Sequence, residues 1–214
     1  PLGRIGSIDD IAAAALWLML GRAKRSVKAG VFAAVAGWCA LIGLTSQELG
    51  PGVLVRIDCL DVGNGTCMLV RSGGRALLWD CGTLARADGG VAIVRACREL
   101  GVWRVPIAVV THPDIDHFGL LPRVARDLGV ARVATCERFL AQAKESPRGS
   151  AAACEELLSA RGVELIALAR GDRVSIGGAT LEVISPAPGA DFAQDNDHSL
   201  VARLTHPALT RTAA

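Results

Sequence analysis

From residue 53 onward, short apolar runs bounded by glycine turns alternate with stretches of helical spacing. Val53, Val55, Ile57 and Cys59 alternate with Leu54, Arg56, Asp58 and Leu60, as in a strand. Asp61-Val62-Gly63-Asn64-Gly65 reads as a tight turn whose glycines take positive φ. Residues 66–70 and 75–79 form two further strands around the hairpin turn Ser72-Gly73-Gly74. Ile93, Cys97 and Leu100 recur at helical spacing, with Arg95 and Arg98 opposite and Gly101 as the stop. Residues 105–110 are a continuous apolar run, the mark of a buried strand. Phe118, Leu121, Ala125 and Leu128 make the apolar face of a helix ended by Gly129. A strand over 131–134, helices over 137–145 and 151–161, and a strand over 163–168 follow. A hairpin of 172–176 and 179–184 turns at Gly177-Gly178, and a last strand covers 199–204. The order β-β-β-α-β-α-β-α-β-β-β-β predicts an α/β domain over 53–204, after a linker at Gly50-Pro51-Gly52.

The first 49 residues have a different texture. Ser7-Ile8-Asp9-Asp10 is a helix start, with Ser7 as cap and Asp10 completing a capping box. A uniformly apolar run follows, and 8–21 is expected to be part of a helix. Arg22, Lys24, Arg25 and Lys28 come next, and residues 29–47 then carry no charge at all. As a helix that run is about 28 Å long at ~1.5 Å per residue, close to the thickness of a bilayer core. It is expected to span a membrane rather than lie buried in a soluble core. The basic cluster before it then stays cytoplasmic, and everything after residue 50 is extracytoplasmic. A secretory signal beginning at Met19 is the rival reading, although no A-x-A cleavage site follows. The start at Pro1 instead of Met reads as a fragment or a processed product.

Charge adds one exclusion. The first 52 residues hold five Lys/Arg and three Asp/Glu, so the formal +2 lies wholly there and the remainder balances at 18 and 18. A neutral domain is weak ground for a nucleic-acid partner held by charge alone. Arg95, Arg98, Arg123 and Arg126 read as solvated helix faces, with a phosphate-contacting strip as the alternative. Cys39, Cys59, Cys67, Cys81, Cys97, Cys136 and Cys154 contain no CxxC pair, which argues against a structural zinc site. They read as small buried hydrophobes, with disulfides open to the six after Cys39.

The chemistry concentrates in Thr111-His112-Pro113-Asp114-Ile115-Asp116-His117, where a strand hands over to a helix. Two imidazoles and two carboxylates within six residues are a metal-ligand set. Side chains at i and i+2 of an extended segment point the same way, which pairs His112 with Asp114 on one metal. Asp116 and His117 then face a second, with Asp116 also placed to orient a hydroxide. Asp80, at the end of the third strand, is expected to steady the loop behind the ligands. Asn196 and His198 are candidates for a further ligand, while His206 reads as a surface residue. The competing reading of the cluster is a polar turn with solvated charges.

Asp80-Cys81-Gly82 after a strand, then a helix, a strand and Thr-His-x-Asp-x-Asp-His, resembles the first half of a metallo-β-lactamase fold. Leu60-Asp61-Val62-Gly63-Asn64-Gly65-Thr66 resembles the Leu-Asp-Val-Gly-Gln-Gly-Asp opening of the extracytoplasmic domain of the ComEC competence family. Gly171-Asp172-Arg173 and Asn196-Asp197-His198-Ser199-Leu200-Val201 also fit that family, and the helix at 29–47 resembles the last span of its channel. The resemblance covers most of residues 29–204. Asn64 and Thr66 depart from the family's Gln and Asp, and residues 205–214 depart from its later Thr-Gly-Asp and histidine. The site is therefore expected to be incomplete in this stretch, and the domain with it.

The resemblance implies one or two divalent metal ions, Mn²⁺ or Zn²⁺. Asp114 stands where many relatives carry histidine, which shifts the site toward oxygen ligands and hence toward Mn²⁺ or Mg²⁺. It further implies a phosphodiesterase or nuclease associated with DNA uptake, with single-stranded DNA, the lipid bilayer and the rest of a membrane channel as partners. The alternatives are a DNA-guiding ectodomain without chemistry, and a hydrolase of another substrate on the same fold.

Overall fold

A computed structural model of the chain describes residues 25–45, 49, 52–85 and 88–210. The chain divides into two compact units, Pro1–Ser46 and Gln47–Ala214.

In the first unit the described part is one helix, α1 (Arg25–Thr45). Its described apolar side chains include Val27, Phe32 and Trp38, each more than half exposed at 51, 60 and 51%. Among the described residues no helix is long and apolar enough to cross a membrane. The partial helix expected over 8–21 lies outside the described residues.

The second unit runs β1 (Arg56–Cys59), β2 (Met68–Ser72), β3 (Arg75–Trp79), α2 (Gly89–Glu99), β4 (Ile107–Val110), α3 (Ile115–Phe118) and α4 (Leu121–Leu128). It continues with β5 (Arg132–Cys136), α5 (Glu137–Glu145), α6 (Ser150–Ser159), β6 (Glu164–Leu168), β7 (Arg173–Ile176), β8 (Ala179–Ser185) and β9 (Val201–Thr205). A 3₁₀ turn at Asp195–His198 precedes β9, and the short helix α7 (Pro207–Thr210) follows it.

Strands β1 to β6 form one sheet in sequence order, and β7 to β9 form a second. β1, β2 and β3 are an antiparallel meander, as short hairpin connections require. From β3 to β6 the pairing is parallel, with α2, α3–α4 and α5–α6 as the crossovers. The inner strands are apolar through most of their length, and Leu69, Leu77, Leu78, Val109 and Val110 are fully buried under the helices. α2 packs on α4, and α4 on α6. α4 stops at Gly129, whose φ of 67° is the left-handed cap expected of a glycine there. Phe118, at the end of α3, meets Phe139 of α5 edge to face with ring centroids 5.1 Å apart. That contact anchors the segment carrying the histidines in the core.

The structure adds the inner face of β1 and corrects one expectation. The alternating run from Val53 does not turn its apolar side inward, since Val53 and Ile57 are 44 and 51% exposed and Cys59 is exposed too. The inward position goes to Asp58, which binds the buried Arg71 at 2.7 Å, while Arg71 also donates to the Leu100 carbonyl at the end of α2. The cysteines are not uniformly buried either. Cys67, Cys81, Cys97, Cys136 and Cys154 are, but all six described thiols are free and Cys59 is exposed.

Candidate functional site

Parallel pairing of Leu77–Trp79 with Ile107–Val109 brings the ends of β3 and β4 out side by side. Asp80 and Thr111 therefore emerge as neighbours at the same sheet edge. Asp80 adopts φ 57°, a left-handed conformation that costs a non-glycine residue about 1–2 kcal/mol. Its N–H donates to the Val109 carbonyl at 2.8 Å, and its carboxylate turns back over Thr111. Oδ1 accepts from the Thr111 N–H at 2.8 Å, and both oxygens lie within 3.1 Å of the Thr111 hydroxyl. Oδ2 also accepts from His117 Nδ1 at 2.9 Å. Asp80 is only 2% exposed, so these bonds compensate an otherwise costly buried carboxylate.

The two histidines stand on this base. Thr111 Oγ1 lies 2.9 Å from His112 Nδ1 and 3.3 Å from His117 Nδ1, and the two rings are 4.0 Å apart, tilted by 52°. The outer nitrogens face the carboxylates. His112 Nε2 is 3.3 Å from Asp114 Oδ2, and His117 Nε2 is 3.9 Å from Asp116 Oδ2. The hydrogen bond to Asp80 raises the proton affinity of His117 above that of free histidine; burial opposes this, and the charges of Asp80, Asp116 and Asp114 add to it. Asp114 occupies the N-cap position of α3 with an extended backbone, yet its side chain makes no capping bond and stays 43% exposed. The Asp114 carboxylate thus stays beside His112 and not on the helix start.

The backbone under this motif is clamped by two loops. Thr66 N–H donates to the Asp116 carbonyl at 3.1 Å and Cys81 N–H to the His117 carbonyl at 2.6 Å. Leu120 N–H donates back to the Cys81 carbonyl at 3.0 Å, and Gly82 N–H to the Thr66 carbonyl at 3.2 Å. The approach is so close that a Cβ on Gly65 would sit 2.8 Å from the Asp116 carbonyl oxygen, and one on Gly82 would overlap the Asp116–His117 peptide. Gly63 has the positive φ expected of the turn, at 75°, but Gly65 is needed for this contact instead. Thr83 completes the clamp by donating to the Val62 carbonyl at 2.7 Å.

The later candidates lie differently. Leu200 N–H donates to the Thr111 carbonyl at 2.9 Å, which brings the 195–200 segment beside the site. His198 is buried, but its Nε2 is engaged by the Phe192 backbone at 3.1–3.2 Å and its ring packs on Phe192. Asn196 is exposed, and its carbonyl accepts from Ser199. The arginine faces are paired with acids, Arg95 with Glu99 at 3.6 Å and Arg126 and Arg123 with Asp127 at 2.7 and 3.7 Å. A separate cleft, lined by Arg75, Leu77, Pro106, Ile107, Ser175 and Ile176, opens at the opposite end of β3 and β4.

Imidazole nitrogens backed by hydrogen bonds stand beside carboxylate oxygens, donor types that suit a divalent cation. They fall into the two pairs His112/Asp114 and Asp116/His117, and among the described residues no group of three ligating side chains is gathered to hold an ion. Thr111, Gly65 and Gly82 lie inside the motifs singled out in the sequence, which gave none of them a role at the site. For Thr111 the only signal was its place directly before His112.

Residues 60–153 match the model of the Metallo-beta-lactamase superfamily. Over 86 residues the chain is 44% identical to a Competence protein ComA of Neisseria gonorrhoeae, covering 38% of this chain and 12% of that protein. Among solved structures it is similar to a metallo-β-lactamase with a HARLDQ motif from Cronobacter sakazakii, at 19% identity, 67% of this chain, 55% of that one and a TM-score of 0.45. It is also similar to the metallo-β-lactamase fold protein YhfI from Bacillus subtilis, at 13% identity, 71 and 57% coverage and a TM-score of 0.44. The chain thus spans little more than half of either structure and a small part of the competence protein.

Proposed function

We propose that the α/β unit, which has the metallo-β-lactamase fold, matches that superfamily over residues 60–153 and is similar in part to a competence protein, is a metal-dependent phosphodiesterase of ComEC type, acting on single-stranded DNA during uptake. The observation that carries this is the pairing of each outward imidazole nitrogen with a carboxylate, His112 with Asp114 and His117 with Asp116, over the buried Asp80–Thr111 base. One or two divalent ions, Mn²⁺ or Zn²⁺, would be held by these four side chains. Such an ion supplies a water acidic enough to ionise near neutral pH. Asp116, 29% exposed and beside His117, would be placed to orient a water toward a phosphodiester, and Asp80 keeps the His117 ring aligned.

The membrane part of the reading is supported by the uncharged run over 29–47 of the sequence, which extends beyond the end of α1 at Thr45. The basic residues before that run face the cytoplasm, the domain after residue 50 lies outside, and the remainder of a channel surrounds the helix. One observation favours a second reading, a domain that guides DNA without cutting it: no three ligating side chains are gathered among the described residues.

The test is cleavage of a labelled single-stranded oligonucleotide by the full chain in detergent with Mn²⁺. The Asp116→Ala/His117→Ala double variant should lose at least about 100-fold in rate, the scale on which losing a catalytic proton-transfer group acts. Cleavage that survives the double substitution defeats the hydrolase reading. Salt-sensitive DNA binding without any metal requirement supports the guiding reading.

A further inference from the structure

We propose that Thr111 is the positioning residue that sets the tautomer of His112, so that its Nε2 meets the ligand as a bare lone pair. Thr111 Oγ1 carries one hydrogen and lies 3.1 and 3.0 Å from the two Asp80 oxygens. An ionised carboxylate only accepts, so that hydrogen goes to Asp80. Oγ1 can then only accept from its remaining neighbours. His112 Nδ1, 2.9 Å away, must be the donor, and neutral His112 therefore carries its proton on Nδ1. The longer 3.3 Å contact to His117 Nδ1 is the minor branch of a proton given mainly to Asp80 at 2.9 Å.

With both Nδ1 atoms protonated, both Nε2 atoms are acceptors. His112 Nε2 then faces Asp114 Oδ2, another acceptor, at 3.3 Å. Two acceptors at that distance repel unless a cation lies against both. Thr111 thus does more than anchor the strand end: by spending its proton on Asp80 it obliges His112 to show a lone pair to the place where Asp114 already shows one. Without the hydroxyl, His112 is free to take the other tautomer and satisfy Asp114 with its own Nε2–H, which removes it as a ligand. Asp80 serves His117 in the same way directly, so the loss should fall on His112 alone. The inference rests on the reading of these histidines as cation ligands, but the tautomer is a property of the metal-free protein.

The experiment is long-range ¹⁵N–¹H correlation of the histidine side chains in the full chain, metal-free and at a pH where both rings are neutral. The other two signals are assigned with His198→Gln and His206→Gln. Wild type should show His112 and His117 both as Nδ1–H. Thr111→Val should move His112 to Nε2–H and leave His117 unchanged, and Thr111→Ser should restore the wild-type pattern. Zn²⁺ affinity by calorimetry should fall about 10- to 100-fold in Thr111→Val, the usual scale for losing a ligand's hydrogen-bonded support, and by less than about threefold in Thr111→Ser. His112 found as Nε2–H in wild type overturns the inference without need of any variant, as does a serine variant that behaves like valine. Failure of wild type to bind Zn²⁺ at all, with the tautomers as stated, overturns the metal reading and leaves the assignment of Thr111 standing.

Discussion

Asp80 Oδ2 accepts a hydrogen bond from His117 Nδ1 at 2.9 Å, tying the end of β3 to the first turn of α3 across 37 residues of chain. The bond aims the other ring nitrogen outward and makes the ring a stronger base. Asp80→Asn keeps the size of the side chain but removes the charge and one acceptor. Zn²⁺ affinity by calorimetry should drop about 10- to 100-fold. The His117 titration, followed by NMR without metal, should move toward that of free histidine. Unchanged values in both would mean that the contact holds the loop without tuning the ring.

Gly82 lets the Cys81–Thr83 loop lie directly on the Asp116–His117 backbone. A methyl group there meets peptide atoms, which cannot swing aside as a long side chain would. Gly82→Ala should destabilise the domain by about 1–3 kcal/mol in urea unfolding, as overpacking of a tight contact does. Metal affinity should fall with it, because the displaced backbone carries a carboxylate and a histidine. Gly65→Ala, which meets the Asp116 carbonyl from the other loop, should behave alike. Wild-type stability in both would show that the loops have slack.

The fold was legible because its signals are local. Apolar runs of four to six residues ended by Ser72-Gly73-Gly74, Gly129 or Gly177-Gly178 became strands and helices near the expected bounds. The face of β1 was not legible. A period-two pattern reports that a strand has two sides, but the ion pair of Asp58 with buried Arg71 decided which side is inner, and that pair joins two strands. The four motif residues could be picked out because they are consecutive or nearly so. Thr111 as a hub, and Gly65 and Gly82 as spacers, depend on approaches of Thr111 to Asp80 and of both glycines to Asp116, 31 to 51 residues apart, which no local pattern records.

Thiol chemistry separates the cysteines. Cys59 is exposed, whereas burial pushes Cys97 and Cys154 up to about 12. Cys136 is raised by burial as well, and Cys81 by its hydrogen bond with Cys67 and by burial. Only the thiolate reacts at useful rates. In a Cys39→Ser background, the native chain at pH 7.5 should take up a single maleimide, located at Cys59 by peptide mass mapping. The other described thiols should label only after denaturation. Rapid labelling of Cys97 or Cys154 without denaturant would contradict the packing of α2 or α6 on the sheet.

Acid should loosen the second sheet through Glu182. It sits on the middle strand β8, in register with Arg173 on one side and Arg203 on the other. Its carboxylate accepts from Arg203 at 2.7 Å and from Arg173 at 3.4 Å, and these bonds hold its pKa below the ordinary carboxylate value. A carboxyl whose folded pKa is depressed stabilises the fold above its unfolded value, here about 4.5, and loses that contribution as pH falls through the folded one. The urea midpoint of wild type should therefore exceed that of Glu182→Gln at pH 7, and the two should converge as the pH falls from about 4.5 through the folded pKa of Glu182. Because the pair is solvated, the gap at pH 7 should be small and should shrink further in about 1 M salt. A gap that does not narrow at all below pH 4.5 would show that Glu182 acts through the shape of its side chain and not through its charge.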